Sequence, residues 1–92
     1  MLTAIVLIKT VSDRIPEVAQ EISDIAGITE VYSVTGDWDL IAMVRVPQHE
    51  RLADVIADEL SKVEGVTATN TNIAFRTYSK HDLDAAFSLG ID

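Results

Sequence analysis

The sequence has 92 residues, 48% of them hydrophobic and 24% charged, which suits one folded domain and excludes a disordered chain. A net charge of −8 opposes a phosphate backbone, and the seven basic residues, Lys9, Arg14, Arg45, Arg51, Lys62, Arg76 and Lys80, are scattered, so direct nucleic-acid binding is not expected. The lack of cysteine excludes disulfides, thiolate metal sites and cysteine nucleophiles, which leaves oligomerisation as the natural stabiliser of so small a core.

The opening Met1-Leu2-Thr3-Ala4 has no basic n-region, and no apolar run approaches membrane-spanning length. A cytoplasmic protein without membrane contact is expected. The first strand is predicted over Thr3–Lys9. A helix follows, with Ser12 or Asp13 as N-cap, Pro16 in its first turn, and Ile15, Val18, Ala19, Ile22 and Ile25 on one face. Gly27 stops it. A second strand leads to the turn Thr35-Gly36-Asp37-Trp38-Asp39, then a third strand covers Leu40–Val46 and breaks at Pro47. The second helix turns Leu52, Val55, Ile56, Leu60 and Val63 inward, Gly65 ends it, and a last strand runs over Val66–Phe75.

A shift of 38 residues aligns Leu2, Ala4, Val6, Ala19, Glu21, Ser23, Gly27 and Thr29 with Leu40, Ala42, Val44, Ala57, Glu59, Ser61, Gly65 and Thr67. Two βαβ halves joined by a hairpin predict an α+β, ferredoxin-like βαββαβ fold: a four-stranded antiparallel sheet with two helices on one face. Residues 1–77 form this domain. Residues 78–92 form a tail of the same domain, where Ser79-Lys80-His81-Asp82 fits a capping box and Leu83, Ala86 and Phe87 predict a short amphipathic helix.

Both faces of the central strands are apolar, with Ala4, Val6 and Ile8 against Ile5 and Leu7, and Ala42, Val44 and Val46 against Ile41 and Met43. Two helices cover one face only. The other is expected to pack on a partner's sheet in a two-fold homodimer of the dimeric α/β-barrel type. In the last strand Thr67, Thr69 and Thr71 alternate with Asn70 and Asn72, which suggests a border with water or a ligand cavity.

Gly36-Asp37 is ordinary hairpin chemistry, but Trp38 exposes apolar surface in a tight turn, and Asp37 and Asp39 repel unless solvated or met by a cation. One reading has Trp38 and Asp39 cover a ligand's apolar body and hold its ammonium, while N–H groups near Gly36 receive a carboxylate, as an α-amino acid requires. The other has Trp38 packed at a subunit interface and both carboxylates in water.

The order of elements, the run Val31-Tyr32-Ser33-Val34-Thr35-Gly36-Asp37-Trp38-Asp39, and Glu64-Gly65-Val66 leading to Thr69-Asn70-Thr71 resemble the effector-binding domain of Lrp/AsnC regulators. The resemblance covers nearly the whole chain. It implies a dimer that assembles further into rings, a small effector, commonly an amino acid, between subunits, and a site lined by Gly36, Asp37, Trp38 and Asp39 with Thr69 and Thr71. Trp38 stands where that family commonly has Tyr or Phe. The family's helix-turn-helix is not expected before the first strand, so regulation of transcription would run through partners such as full-length Lrp/AsnC regulators.

His49 and His81 lack further ligands at metal-binding spacing, so no metal and no cofactor is expected. An acylphosphatase-like site would need Arg14 with Asn70 or Asn72 and phosphate-cradling glycines that are missing. A cofactor-free monooxygenase would have only Trp38 and Asn72 to work with. No acid–base pair is set by spacing, so the chain is read as a non-enzyme. The alternatives to an effector-binding domain are a ligand-free oligomerisation module or a small dimeric α/β-barrel enzyme.

Overall fold

The two most apolar runs take the middle of the sheet. In the computed structural model, which describes residues 1–78, strand β1 (Leu2–Thr10) lies beside β3 (Leu40–Val46), β2 (Ile28–Ser33) flanks β3, and β4 (Val66–Ala74) flanks β1. The order β2-β3-β1-β4 is antiparallel throughout. Helix α1 (Ile15–Ser23) connects β1 to β2. Helix α2 (His49–Ala53) runs on through a π-helical stretch (Asp54–Glu59) and a 3-10 turn (Leu60–Lys62) to β4.

The repeat has a geometric meaning. Ala4 pairs with Val44 and Val6 with Ala42, so the residues repeated between the halves face each other across the central strands. The 38-residue shift carries Ile5 onto Met43, which is also its cross-strand partner, and a local pseudo-two-fold axis therefore passes through that pair. Small residues opposite larger ones leave grooves on the helix side, filled by Val18 and Ile22 of α1 and by Leu52, Val55 and Leu60. All belong to one buried cluster with Ala4, Val6, Ile8, Leu40, Ala42 and Val44.

Both helices differ from expectation at one point. Neither Ser12 nor Asp13 caps α1: Ser12–Arg14 forms a 3-10 turn whose Arg14 N–H donates to the Val11 carbonyl at 3.2 Å, and the helix starts at Ile15 without a side-chain cap. In the second helix Val55 and Leu60 are both fully buried although five residues apart. The wider π turn brings residues at that spacing to one face and keeps Glu59, at the α-helical position, in water.

Two glycine carbonyls tie the flanking strands to the centre, since Gly27 accepts from the Arg45 N–H at 2.8 Å and Gly65 from the Val11 N–H at 2.9 Å. Gly65 has φ of +102°, and a Cβ there would lie 2.7 Å from a methyl of Val18.

Cross-strand register sorts the second face. Thr3, Ile5, Leu7 and Lys9 of β1 share it with Ile41, Met43 and Arg45 of β3, Glu30 and Tyr32 of β2, and Ala68, Asn70 and Asn72 of β4. Ile5, Leu7, Ile41 and Met43 form a half-buried apolar centre between polar rims. The expected tail helix, with Ser79, Lys80 and His81, lies outside the described residues.

Gly65→Ala is expected to cost about 2–4 kcal/mol, because left-handed strain and the Val18 overlap add. Urea unfolding monitored by circular dichroism measures it, and a loss below about 1 kcal/mol would show that neither constraint acts.

Candidate functional site

The β2–β3 turn stands at the end of the sheet where β1 finishes and β4 starts. Its closing bond runs from the Val34 N–H to the Asp39 carbonyl at 3.1 Å, leaving Thr35–Trp38 as the loop. Gly36 has φ of +107°, and a Cβ placed there meets nothing within 4 Å. Glycine is therefore required by the backbone, and the space above it is open. Among the described residues, no acceptor meets the backbone N–H groups of Thr35, Gly36, Asp37 and Trp38. Four consecutive donors are thus left without a partner on a largely exposed loop, a composition that can receive an anion.

Asp39 is occupied from within. Its N–H donates to the Ile8 carbonyl at 3.0 Å, and its Oδ2 accepts from the N–H of buried Thr10 at 2.9 Å. The β1–β4 register slips between Lys9 and Thr10, and Asp39 serves as a side-chain continuation of the ladder on the β3 side of that irregularity. Asp37 is exposed. Trp38 is half-buried, and the Lys9 ammonium sits 5.5 Å from its ring centroid, within cation–π range. Lys9 is the site residue that sequence reasoning missed. Its signal was a lone cation at the end of an apolar strand, but only register shows what lies beside it.

Gly36, Asp37, Trp38 and Asp39 are thus together, whereas Thr69 and Thr71 do not join them within one protomer. Thr69 pairs with Ile8 and Thr71 with Val6, both fully buried toward the helices, so these threonines belong to the helix side of the sheet. The strand-four residues on Lys9's face are Ala68, Asn70 and Asn72, the last donating from Nδ2 to Asn70 Oδ1 at 3.2 Å.

On the β2 rim of the same face, the Tyr32 hydroxyl donates to Glu30 Oε2. Arg45 Nη1 lies 3.7 Å from Glu30 Oε1 and donates to Thr29 Oγ1 at 3.1 Å. The hydrogen bond to Glu30, followed by that residue's charge, raises the Tyr32 phenol above its ordinary range.

A concavity of about 600 Å³ lies at the other end of the sheet, lined by Leu2, His49, Thr71, Ile73 and Phe75 among others. It is open, far from the turn in register, and Phe75 is almost fully exposed. No group of three His, Asp or Glu among the described residues is placed to hold a metal ion, and no helix among them is long and apolar enough to cross a membrane.

Residues 3–83 match the family model described as the Lrp/AsnC ligand binding domain. An uncharacterised HTH-type transcriptional regulator of Pyrococcus horikoshii is 39% identical over 61 residues, which are 66% of this chain and 41% of that protein. The chain thus spans less than half the length of that relative. Among solved structures, a protein of Thermus thermophilus is similar with a TM-score of 0.82 and 41% identity, covering 87% of this chain and 100% of the other. A feast or famine regulatory protein of M. tuberculosis, complexed with L-methionine, has a TM-score of 0.71 and 26% identity, covering 87% of this chain and 54% of its own.

Asp39→Ala is expected to cost about 1–3 kcal/mol by leaving the Thr10 N–H without its charged acceptor, with Asp39→Asn costing less. Chemical denaturation of the two variants tests this, and equal, negligible losses would refute the anchoring role. In an ultraviolet difference titration of the Tyr78→Phe protein, Glu30→Gln is expected to bring Tyr32 ionisation down to lower pH. An unchanged curve would mean that Glu30 does not hold the proton.

Proposed function

The chain belongs to the family of Lrp/AsnC ligand binding domains, and on that premise we propose that it binds a small effector, an α-amino acid, at the Thr35–Trp38 turn against a neighbouring subunit. Binding there couples to assembly between dimers and, through partner regulators, to transcription. One observation carries the reading: a loop of unsatisfied N–H donors under open space, tied at Asp39 to the end of the central strand. The donors suit a carboxylate, Trp38 offers an apolar surface, and the Asp37 carboxylate with the uncommitted oxygen of Asp39 suits an ammonium. The turn of one protomer is too open to bury a ligand, so a second subunit completes the site. The M. tuberculosis relative complexed with L-methionine supports the ligand class. Relatives that are transcriptional regulators support a regulatory rather than catalytic role, in the cytoplasm.

Dimer formation follows from the sheet. Among the described residues no helix lies over Ile5, Leu7, Ile41 and Met43, and a second copy of the same face buries them in a two-fold arrangement. Further contacts between dimers then build the ring. A ligand shared across a subunit boundary gains its contacts only in the assembled state, so mass action favours that state.

Two contacts favour a second reading, an assembly module without ligand. Lys9 already covers a face of Trp38, and Thr10 already engages Asp39, so both groups are satisfied inside the protomer.

Calorimetric titration with a panel of amino acids, run beside light scattering, separates the readings. Saturable heat with a rise in mass is expected for at least one amino acid, and neither response to any would leave the assembly module. Leu7→Glu is expected to yield monomers at micromolar concentration by sedimentation, with circular dichroism unchanged. A wild type that is itself monomeric there would refute the sheet-to-sheet dimer.

A further inference from the structure

Resting on the reading of the turn as an amino-acid site, we propose that Lys9 is a specificity-determining residue that makes the site prefer amino acids with an acidic side chain. The chain carries 15 acidic residues against 7 Lys and Arg, so an exposed cation has many carboxylates to choose from. Arg14, Arg45 and Arg51 each lie within ion-pair distance of one. Among the described residues, Lys9, Lys62 and Arg76 have none; at Lys9 the nearby Asp39 carboxylate engages the Thr10 N–H. The Lys9 ammonium rests on the Trp38 ring instead.

A cation held against an aromatic face keeps its full charge and its hydrogen-bond donors for another partner. Its place is set by the strand on one side and the indole on the other, beside the loop whose N–H groups have no acceptor among the described residues. The corner therefore has two separate receptors for negative charge, the N–H cluster and Lys9. An α-carboxylate fills only the first. A ligand that fills both has a second carboxylate, and the cross-strand neighbour of Lys9 on β4 is the small Ala68. A neutral ligand would leave the ammonium unmatched, or would have to displace it from the indole to use that surface.

The test compares L-glutamate and L-aspartate with L-glutamine and L-asparagine, which keep the shape and drop the charge, by calorimetry on the wild type, Lys9→Met and Lys9→Arg. Trp38 is the sole tryptophan, so its emission reports directly on the ammonium above it. The wild type is expected to bind an acidic member about tenfold or more tighter than its amide, and Lys9→Met to bring that ratio close to one. Lys9→Arg should keep the preference, and an acidic ligand should shift the Trp38 emission in the wild type but not in Lys9→Met. Saturable binding of uncharged amino acids with no acidic preference, or a preference that survives in Lys9→Met, overturns the role of Lys9 and leaves the amino-acid site standing. Failure of every amino acid to bind overturns both.

Discussion

The antiparallel register of β1 against β3 is the constraint on which the other features rest. With Ile5 opposite Met43, every even residue of β1 is sent toward the helices and every odd residue away from them. A slip of one residue would exchange Ala4, Val6 and Ile8 for Ile5, Leu7 and Lys9, driving an ammonium under the helices and leaving the grooves for Val18 and Leu60 without their small residues. The alternation of alanine and valine across the pair is therefore both a packing device and a register lock, shared by the two halves because they meet around a common axis.

That register also decides what kind of surface surrounds the turn. It places Lys9 at the end of the open face, where the only aromatic group of the loop lies within reach, and it sends Thr69 and Thr71 to the helix side. The central apolar patch and the loop are consequently parts of one surface. On the proposed function, a partner seated on the first would lie beside the second, and assembly and ligand binding would be neighbouring events. Electrostatics adds to this, because the Lys9 ammonium at the Trp38 ring puts a positive charge beside the turn of an acidic chain.

Much of the architecture was legible in residue pattern alone. β3 ends where Pro47 breaks it, as its apolar run indicated, and the repeat foretold two equivalent halves around a hairpin. The helix ends were less legible, since a 3-10 turn that satisfies the Arg14 N–H through the Val11 carbonyl competes with side-chain capping by Ser12 or Asp13. The π stretch was hidden because Leu52, Val55, Ile56, Leu60 and Val63 all fit an ordinary helical stripe. At the site, Gly36, Asp37, Trp38 and Asp39 declared themselves by being adjacent in sequence. The partners of Trp38 and Asp39 are 29 residues away, on another strand. The facing of Thr69 and Thr71 depends on a register slip beside Thr10, which no local pattern encodes.

Asp39 closes the loop through its carbonyl and fastens it to β1 through its N–H and its carboxylate, so three hydrogen bonds converge on one residue. Such a loop has few conformations to lose when a molecule settles on it, and little of the interaction is spent on ordering. It is also tied beyond its own hairpin, to the middle of the sheet. A pull on Asp39 is a pull on the backbone of Ile8 and Thr10, the end of the strand whose other side chains make both the helix core and the open face. The turn therefore acts less as a flexible lip than as a lever fixed to the molecule's central beam.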